Sequence, residues 1–186
     1  LTNAEGLHTN AIYGFLNILF KMVEEEKPDY LTVAFDLAAP TFRHKIYDAY
    51  KGTRKPMPHE LRQQVPVMKD VLTAMGIPLL SKEGYEADDL LGTIAKRSEA
   101  KGMDVTVLSG DRDLLQLATD HICIRIPKTK GGKTTIEDYF AKDVEEAYQL
   151  TPLQIIELKA LMGDTADNIP GLPGVGEKTA TKLLLE

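Results

Sequence analysis

The hydrophobic pattern of the chain alternates between helical and strand-like spacing. Apolar positions three or four residues apart predict an amphipathic helix over Thr9 to Glu26. The same spacing predicts further helices at residues 61–75, about 87–101, 143–149 and 152–161, with a short helical segment in DLLQLA at 113–118. Short runs rich in β-formers predict buried strands in YLTVAFD, GIPLLS, DVTVLSGD and HICIRI. KTKGGKTTI predicts a β-hairpin that turns at Gly131 and Gly132.

Strands that alternate with helices indicate an α/β fold, with a mostly parallel central sheet and helices on both faces. In such sheets, ligands bind outside the carboxyl ends of the strands. Asp36 and Asp111 follow two of the predicted strands, so we expect both on the same rim. From about 39 to 60, Gly52, Pro56 and Pro58 interrupt the periodicity and predict an arm or loop.

Composition excludes some classes of protein. The chain has 186 residues, 43% hydrophobic and 27% charged, as in soluble globular domains. No apolar run approaches the roughly 20 residues of a membrane span, so we expect no membrane association. One cysteine, Cys123, excludes an internal disulfide, indicates a cytoplasmic setting and is expected in the core. Because the chain begins at Leu1 and ends inside a helical pattern, we expect a fragment of a longer protein.

Charge is unevenly distributed along the chain. The net charge is −6, but residues 42–62 hold six Lys and Arg against two acids, so this segment carries +4 and the remainder −10. A basic stripe on an acidic body suggests that one region holds an anion and another holds cations.

Acidic residues gather at the predicted ends of elements. The stretch GYEADDLLG places three acids before an apolar helical run, which is compatible with helix capping or with a metal site. Turns and caps are the structural alternatives at the other acids. Taken together, the set predicts oxygen-only ligation of Mg²⁺ or Mn²⁺, with two ions about 3.5–4 Å apart suited to phosphoryl displacement. The set is Asp36, Glu86, Asp88, Asp89, Asp111, Asp113, Asp164 and Asp167.

Two further segments suggest DNA binding. In IPGLPGVGEKTA, glycines before a helix let the backbone approach a phosphate, although a simple linker is the alternative. In the arm, basic residues suit phosphates and Tyr47 or Tyr50 suits base stacking, although a solvated loop is the alternative. The candidate DNA-binding residues are Arg43, Tyr50, Lys51, Arg54, Lys55, Gly171, Gly174, Val175, Gly176, Lys178 and Thr179.

Four stretches, AYKGTRKPMP, YEADDLLG, SGDRDLLQL and GDTADNIPGLPGVGEKTA, occur in this order. In residue identity and spacing they resemble the 5′-nuclease domain of bacterial DNA polymerase I, a member of the flap endonuclease superfamily. The resemblance covers essentially the whole chain. It implies a resolvase-like or PIN-like core over 1–150 with a helical arch at about 39–60, and a helix-hairpin-helix region over 151–186.

The resemblance also implies roles for individual residues. Asp36, Glu86 and Asp88 look like first-metal ligands; Asp111, Asp113, Asp164 and Asp167 look like the second-metal group, with Asp89 close by. Lys51 and Arg54 resemble catalytic arch residues at the scissile phosphate, and Tyr50 resembles an aromatic residue that stacks on the displaced strand. The tail resembles an element that binds duplex DNA and K⁺. The family begins with a strand bearing a further Asp ligand, and we expect that strand and the family's carboxy-terminal part to lie outside this sequence.

The resulting hypothesis is a metal-dependent, structure-selective 5′-nuclease in the bacterial cytoplasm, at the nucleoid. Its expected partners are DNA flaps, nicks or single-stranded 5′ ends, as in primer removal and repair, and a polymerase domain on the same natural chain. A non-catalytic DNA-structure-binding module is the main alternative. A phosphatase with Asp36 as nucleophile is a third, which leaves the arm and the tail unexplained.

Overall fold

The computed structural model describes residues 1–131 and 133–186 and has an α/β architecture. Its helices are α1 (Asn10–Glu26), α2 (Phe42–Ile46), α3 (His59–Arg62), α4 (Gln64–Ala74), α5 (Ala87–Glu99), a 3-10 helix (Arg112–Leu117), α6 (Ala141–Tyr148), α7 (Gln154–Met162) and α8 (Glu177–Leu185). Its strands are β1 (Val33–Ala34), β2 (Leu79–Leu80), β3 (Val105–Leu108), β4 (Ile122–Lys130), β5 (Lys133–Tyr139), β6 (Gly163–Asp164) and β7 (Ile169–Pro170).

The strands confirm parallel pairing but not one continuous sheet. β1 pairs with β2 and β3 pairs with β4, both in parallel, and β4 continues into an antiparallel pair with β5. Among the described strands, these pairs belong to separate sheets. Helix α5 packs against both β1 and β3 and so connects the β1–β2 sheet with the β3–β4–β5 sheet. The β4–β5 hairpin is confirmed; Gly132, half of its predicted turn, lies outside the described residues.

The helix predicted at residues 61–75 is divided in two. Helix α3 ends at Arg62, and Gln64 begins α4 with a side chain that is 1% exposed. Gln64 Oε1 accepts hydrogen bonds from the N–H groups of Ala11 (2.8 Å) and Ile12 (3.4 Å). These two N–H groups lie in the first turn of α1, where no intrahelical acceptor exists. A long-range contact therefore decides a local boundary.

Two apolar clusters stabilise the chain. The larger centres on Ile122 and Ile124 of β4 and packs against α5, α6, α7 and α8. The smaller joins α1 and α4 through Leu19, Met68 and the fully buried Leu72. Cys123 is buried, as predicted. Within residues 1–131 and 133–186, no helix has both the length and the apolar character needed to cross a membrane.

Candidate active site

Three acids on the rim carry no paired cation. Asp36 follows β1, Asp88 lies in the first turn of α5, and Asp111 precedes the 3-10 helix. None of them takes part in an ion pair among the described residues. Burial, followed by the charges of Asp111, Asp36 and Glu86, raises the pKa of half-buried Asp88 to about 6. The prediction that Asp36 and Asp111 share a rim is therefore supported by their common effect on Asp88.

Hydrogen bonds set the positions of these acids. Asp36 Oδ1 accepts from the Ala87 N–H at 2.7 Å, which ties the end of β1 to the start of α5. Asp111 Oδ1 accepts from the Asp113 N–H at 2.9 Å and caps the 3-10 helix. Capping was considered as an alternative for Asp113, but the structure has Asp111 as the N-cap and Asp113 as the donor of the N–H.

The three acids of GYEADDLLG have different environments. The Asp89 carboxylate accepts hydrogen bonds from both terminal guanidinium nitrogens of Arg43, at 2.8 and 2.9 Å, and one from the Glu86 N–H at 2.9 Å. Its pKa is lowered, chiefly by the Arg43 hydrogen bonds. Asp89 therefore caps α5 and anchors the arm, while Asp88 points its charge at the rim acids. In this conformation, Asp89 and Arg43 are paired with each other, and their predicted roles in metal and DNA binding stay predictions.

The arm lies across the acidic rim. Lys51 Nζ donates to Glu86 at 2.7 Å, and Arg54 donates to Asp167 at 2.5 Å. Backbone contacts support these pairs: the Lys51 N–H donates to the Asp167 carbonyl at 2.9 Å, and Asn168 Nδ2 donates to the Ala49 carbonyl at 2.7 Å. The arm was predicted from its sequence as an arm or loop, and in the structure two of its cations pair with Glu86 and Asp167.

Tyr50 differs from its predicted role. Only 4% of this residue is exposed, and its hydroxyl lies 3.0 Å from both Glu86 and Asp167. Its pKa is raised, first by burial and then by hydrogen bonds to those two carboxylates. A ring buried in this way offers no face for a base in this conformation. The physical reason is that a tyrosine in the arm donates to two partly buried carboxylates by pointing inward.

The second acidic group contains a cation that sequence reasoning missed. Lys159, on α7, has its Nζ 2.8 Å from Asp113 and 2.8 Å from Asp164. Burial alone would lower the pKa of Lys159, but hydrogen bonds to the two carboxylates raise it overall. Asp164 also accepts from the N–H groups of Ala166 and Asp167, which is the local turn considered as the alternative. The only sequence signal for Lys159 was its place in the last turn of a helix that ends at this loop.

These acids surround a cavity of about 360 Å³. Its charged lining includes Asp111, Asp113, Asp164 and Asp167, with Arg54 and Lys159 beside them. Within the described ranges, no three Asp, Glu, His or Cys side chains are placed to hold a metal ion as they stand. Ammonium and guanidinium groups occupy the space between the carboxylates instead. The carboxylates that line the cavity nevertheless form an all-oxygen donor set, which suits hard cations.

The glycines of the tail, IPGLPGVGEKTA, have different environments, because one is packed against backbone and the others are exposed. A Cβ on Gly171 would overlap backbone atoms of Met162 and Gly163, so this glycine permits two backbone segments to cross. Gly174 has a φ of +79° and open space around it, and Gly176 precedes α8. Val175 packs on the core, as does Ala180. Gly171 and Val175 were predicted to contact DNA; in the structure both take part in packing, and their contact with DNA stays a prediction.

The remaining tail and arm candidates lie at the surface. Gly174, Gly176, Lys178 and Thr179 are exposed around the first turn of α8, and Lys55 is exposed in the arm. The first turn of α8 is therefore exposed and carries a lysine, an arrangement that suits a phosphate.

Comparison with known families places the chain. Residues 1–149 match the N-terminal resolvase-like domain of 5′-3′ exonucleases, and residues 150–186 match their C-terminal SAM fold. The chain therefore belongs to the 5′-3′ exonuclease family.

Its curated relatives are DNA polymerases I. That of Bacillus caldotenax is 53% identical over 184 residues, covering 99% of this chain and 21% of the relative. That of Bacillus subtilis (strain 168) has the same identity and coverage. That of Mycobacterium tuberculosis is 44% identical over 181 residues, covering 97% of this chain and 20% of the relative. The chain thus spans about a fifth of the length of these relatives.

Solved structures share the fold. A T5 protein co-crystallised with metal ions is 26% identical with a TM-score of 0.78, covering 94% of this chain and 67% of that one. The bacteriophage T5 flap endonuclease in a complex with DNA and metal ions is 25% identical with a TM-score of 0.77, covering 94% and 66%. The catalytic core of Rad2 with DNA substrate, at 20% identity and a TM-score of 0.59, covers 100% and 55% and shows the fold alone.

Proposed function

We propose that this chain is a metal-dependent, structure-selective 5′-nuclease that hydrolyses phosphodiester bonds at 5′ ends, nicks or flaps of DNA. One observation carries the proposal: Asp36, Asp88 and Asp111 take part in no ion pair among the described residues, and Asp88 lies close enough to the other two for their charges to raise its pKa, directly beside a basic arm. Carboxylates need cations and the arm needs anions, and a metal–phosphate complex satisfies both. The T5 relative with DNA and metal ions supports this interpretation.

The acids would hold two Mg²⁺ or Mn²⁺ ions in two groups. Asp36, Glu86 and Asp88 form the first group. The second group consists of Asp111, Asp113, Asp164 and Asp167. When bound, such ions supply Lewis acidity that activates a water and stabilises the charge developing on the phosphate. Asp89 lies between the arm and the rim, and we assign it mainly to capping α5 and holding Arg43.

The arm cations would change partners when the site is loaded. Lys51 and Arg54 neutralise Glu86 and Asp167 in the structure described here. A cation bound by the carboxylates would replace that neutralisation and leave the ammonium and guanidinium groups free for a scissile phosphate. Guanidinium groups bind phosphate oxygens through paired hydrogen bonds, which would orient the substrate. Lys55 adds a further exposed positive charge for the DNA backbone.

The tail would hold the duplex. Exposed N–H groups near Gly174 and Gly176, with Lys178 and Thr179, suit backbone phosphates, and carbonyl oxygens of the same hairpin suit a K⁺ ion. We propose residues 1–150 as the catalytic core and 151–186 as the DNA-holding region. In the natural protein we expect a polymerase domain on the same chain, a role in primer removal and repair, and a cytoplasmic location at the nucleoid.

Cleavage of a 5′-labelled flap duplex tests the proposal. The chain would be incubated with Mg²⁺ or with EDTA, beside Asp111→Ala and a control variant, Asp70→Ala, which removes an exposed acid from α4. We expect short 5′ products that require Mg²⁺, that disappear in Asp111→Ala and that persist in Asp70→Ala. No cleavage by the unaltered chain, with flap binding intact, would contradict the nuclease proposal and support a non-catalytic DNA-structure-binding module.

A further inference from the structure

The hydroxyl of Tyr50 connects the two acidic groups. It lies 3.0 Å from Glu86 Oε2 and 3.0 Å from Asp167 Oδ2. Glu86 is the N-cap residue of α5, whereas Asp167 belongs to the loop after α7, so one side chain of the arm contacts acids from two distant parts of the sequence. The residues on either side follow the same division: Lys51 pairs with Glu86, and Arg54 pairs with Asp167.

The ring of Tyr50 is enclosed by its neighbours. His44 packs edge-on against it with the ring centroids 5.1 Å apart, and the Lys51 ammonium lies 5.0 Å from the ring centroid. Only 4% of the residue is exposed. The geometry therefore favours a role for the hydroxyl over a role for the ring face.

Main-chain contacts fix this placement independently of the hydroxyl. The Lys51 N–H donates to the Asp167 carbonyl, and the Asn168 side chain donates to the Ala49 carbonyl. These two bonds bracket Tyr50 and hold the arm to the loop that carries Asp167. The contact between the arm and the loop that carries Asp167 therefore places the hydroxyl next to the two carboxylates.

We propose that Tyr50 is a positioning residue, whose hydroxyl orients Glu86 and Asp167 so that both present oxygens to divalent metal ions. This inference rests on the proposed metal-dependent function and adds a residue that acts through the ligands. A hydroxyl has one proton to donate, so it can bond fully to only one carboxylate at a time, and it shares its proton between the two groups. A carboxylate oxygen has two lone pairs and can accept this bond while it binds a cation.

Groups that hydrogen-bond to metal-ligating carboxylates affect metal affinity strongly. Removing such a partner typically weakens metal binding by about 10- to 100-fold. Tyr50→Phe removes only the hydroxyl and keeps the enclosed ring. We therefore expect Tyr50→Phe to bind Mn²⁺ about 10-fold more weakly or worse, without loss of the ring packing.

The experiment measures Mn²⁺ binding by titration calorimetry in the absence of DNA. Flap-duplex affinity in EDTA is measured in parallel by fluorescence anisotropy. Tyr139→Phe is the matched control, because the Tyr139 hydroxyl also donates to a carboxylate, Glu137, at 2.7 Å but lies away from the rim acids. We expect weaker Mn²⁺ binding in Tyr50→Phe alone, with flap affinity in EDTA equal to that of the unaltered chain.

A second variant tests the same positioning role without changing Tyr50. Asn168→Gly keeps the left-handed backbone at this position, where φ is +58°, but removes the side-chain bond to the arm. It should also weaken Mn²⁺ binding, because the arm is then held less firmly over the ligands. Thermal unfolding in EDTA shows whether each variant is folded.

Two results would overturn the inference. One is Mn²⁺ affinity in folded Tyr50→Phe and Asn168→Gly equal to that of the unaltered chain. The other is an equal loss of flap affinity in EDTA for Tyr50→Phe, which would indicate direct DNA contact. If the unaltered chain binds Mn²⁺ and cleaves the flap while these variants match it, only the positioning role fails. If the unaltered chain binds no Mn²⁺, both proposals fail.

Discussion

Asp88 is expected to destabilise the metal-free protein at neutral pH. Its pKa is raised to about 6 from an ordinary value of 3.8, by burial and then by the charges of Asp111, Asp36 and Glu86. An acid whose pKa is higher in the folded state costs no stability at low pH, where it is protonated in both states. Stability then falls as the pH rises from about 4 to about 6, and the full cost is present above that window.

The size of this cost follows from the shift. About two pKa units at 1.36 kcal/mol each correspond to about 3 kcal/mol without solvent screening. Asp88 is only half-buried, so screening reduces the effect to roughly 1 kcal/mol. For a chain of this length, 1 kcal/mol changes the melting temperature by about 2–4 °C. Asp88→Asn keeps the shape of the side chain and removes the charge, so it should melt about 2–4 °C higher than the unaltered chain at pH 8 in EDTA.

Thermal unfolding in EDTA at pH 8 and pH 4 measures the effect. Asp88→Asn should be more stable only at pH 8, while Asp70→Asn, the exposed control on α4, should change little at either pH. With Mg²⁺ added at pH 8, the unaltered chain should gain more stability than Asp88→Asn, because a bound ligand stabilises the folded state. Lower stability of Asp88→Asn at pH 8, or an equal gain at both values, would refute the reasoning.

Three further predictions concern packing and the arm. Gly171→Ala should destabilise the protein by about 1–3 kcal/mol or more, because the added Cβ would overlap backbone atoms. Gly174→Ala should cost only about 1 kcal/mol, because its left-handed φ is strained for alanine but the space around it is open. Thermal unfolding of both variants checks that Gly171→Ala is the less stable of the two. Arg43→Ala removes both hydrogen bonds to Asp89, so limited proteolysis in EDTA should cut the arm faster while the rest of the chain resists; unchanged cutting would show that Arg43 does not hold the arm. Leu72→Ala should cost about 2–5 kcal/mol in a denaturant titration, because Leu72 is fully buried; a loss well below 1 kcal/mol would contradict its place in the core.

Local patterns were sufficient for most helices and for the position of the strands along the chain. Helix α1 begins at Asn10, one residue from the predicted start, because its apolar spacing is long and regular. Three of the predicted strands were made too long, since YLTVAFD pairs only at Val33 and Ala34, whereas β4 continues beyond the predicted HICIRI to Lys130. Strand length depends on which neighbour is available for pairing, and that neighbour, β2, lies far along the sequence.

The sequence by itself predicted which acids gather at the candidate site and which segment carries the opposing cations. It could do so because the ends of elements, where acids cap and ligands gather, are marked by local signals. Only the tertiary structure decided how the charges are paired. Arg43 selects Asp89 rather than Asp88 across 46 positions, and Tyr50 turns inward to Glu86 and Asp167. Such pairings depend on three-dimensional distance and burial, because a charge that loses its hydration on folding needs a partner nearby. The spacing of residues along the chain does not indicate which partner that is.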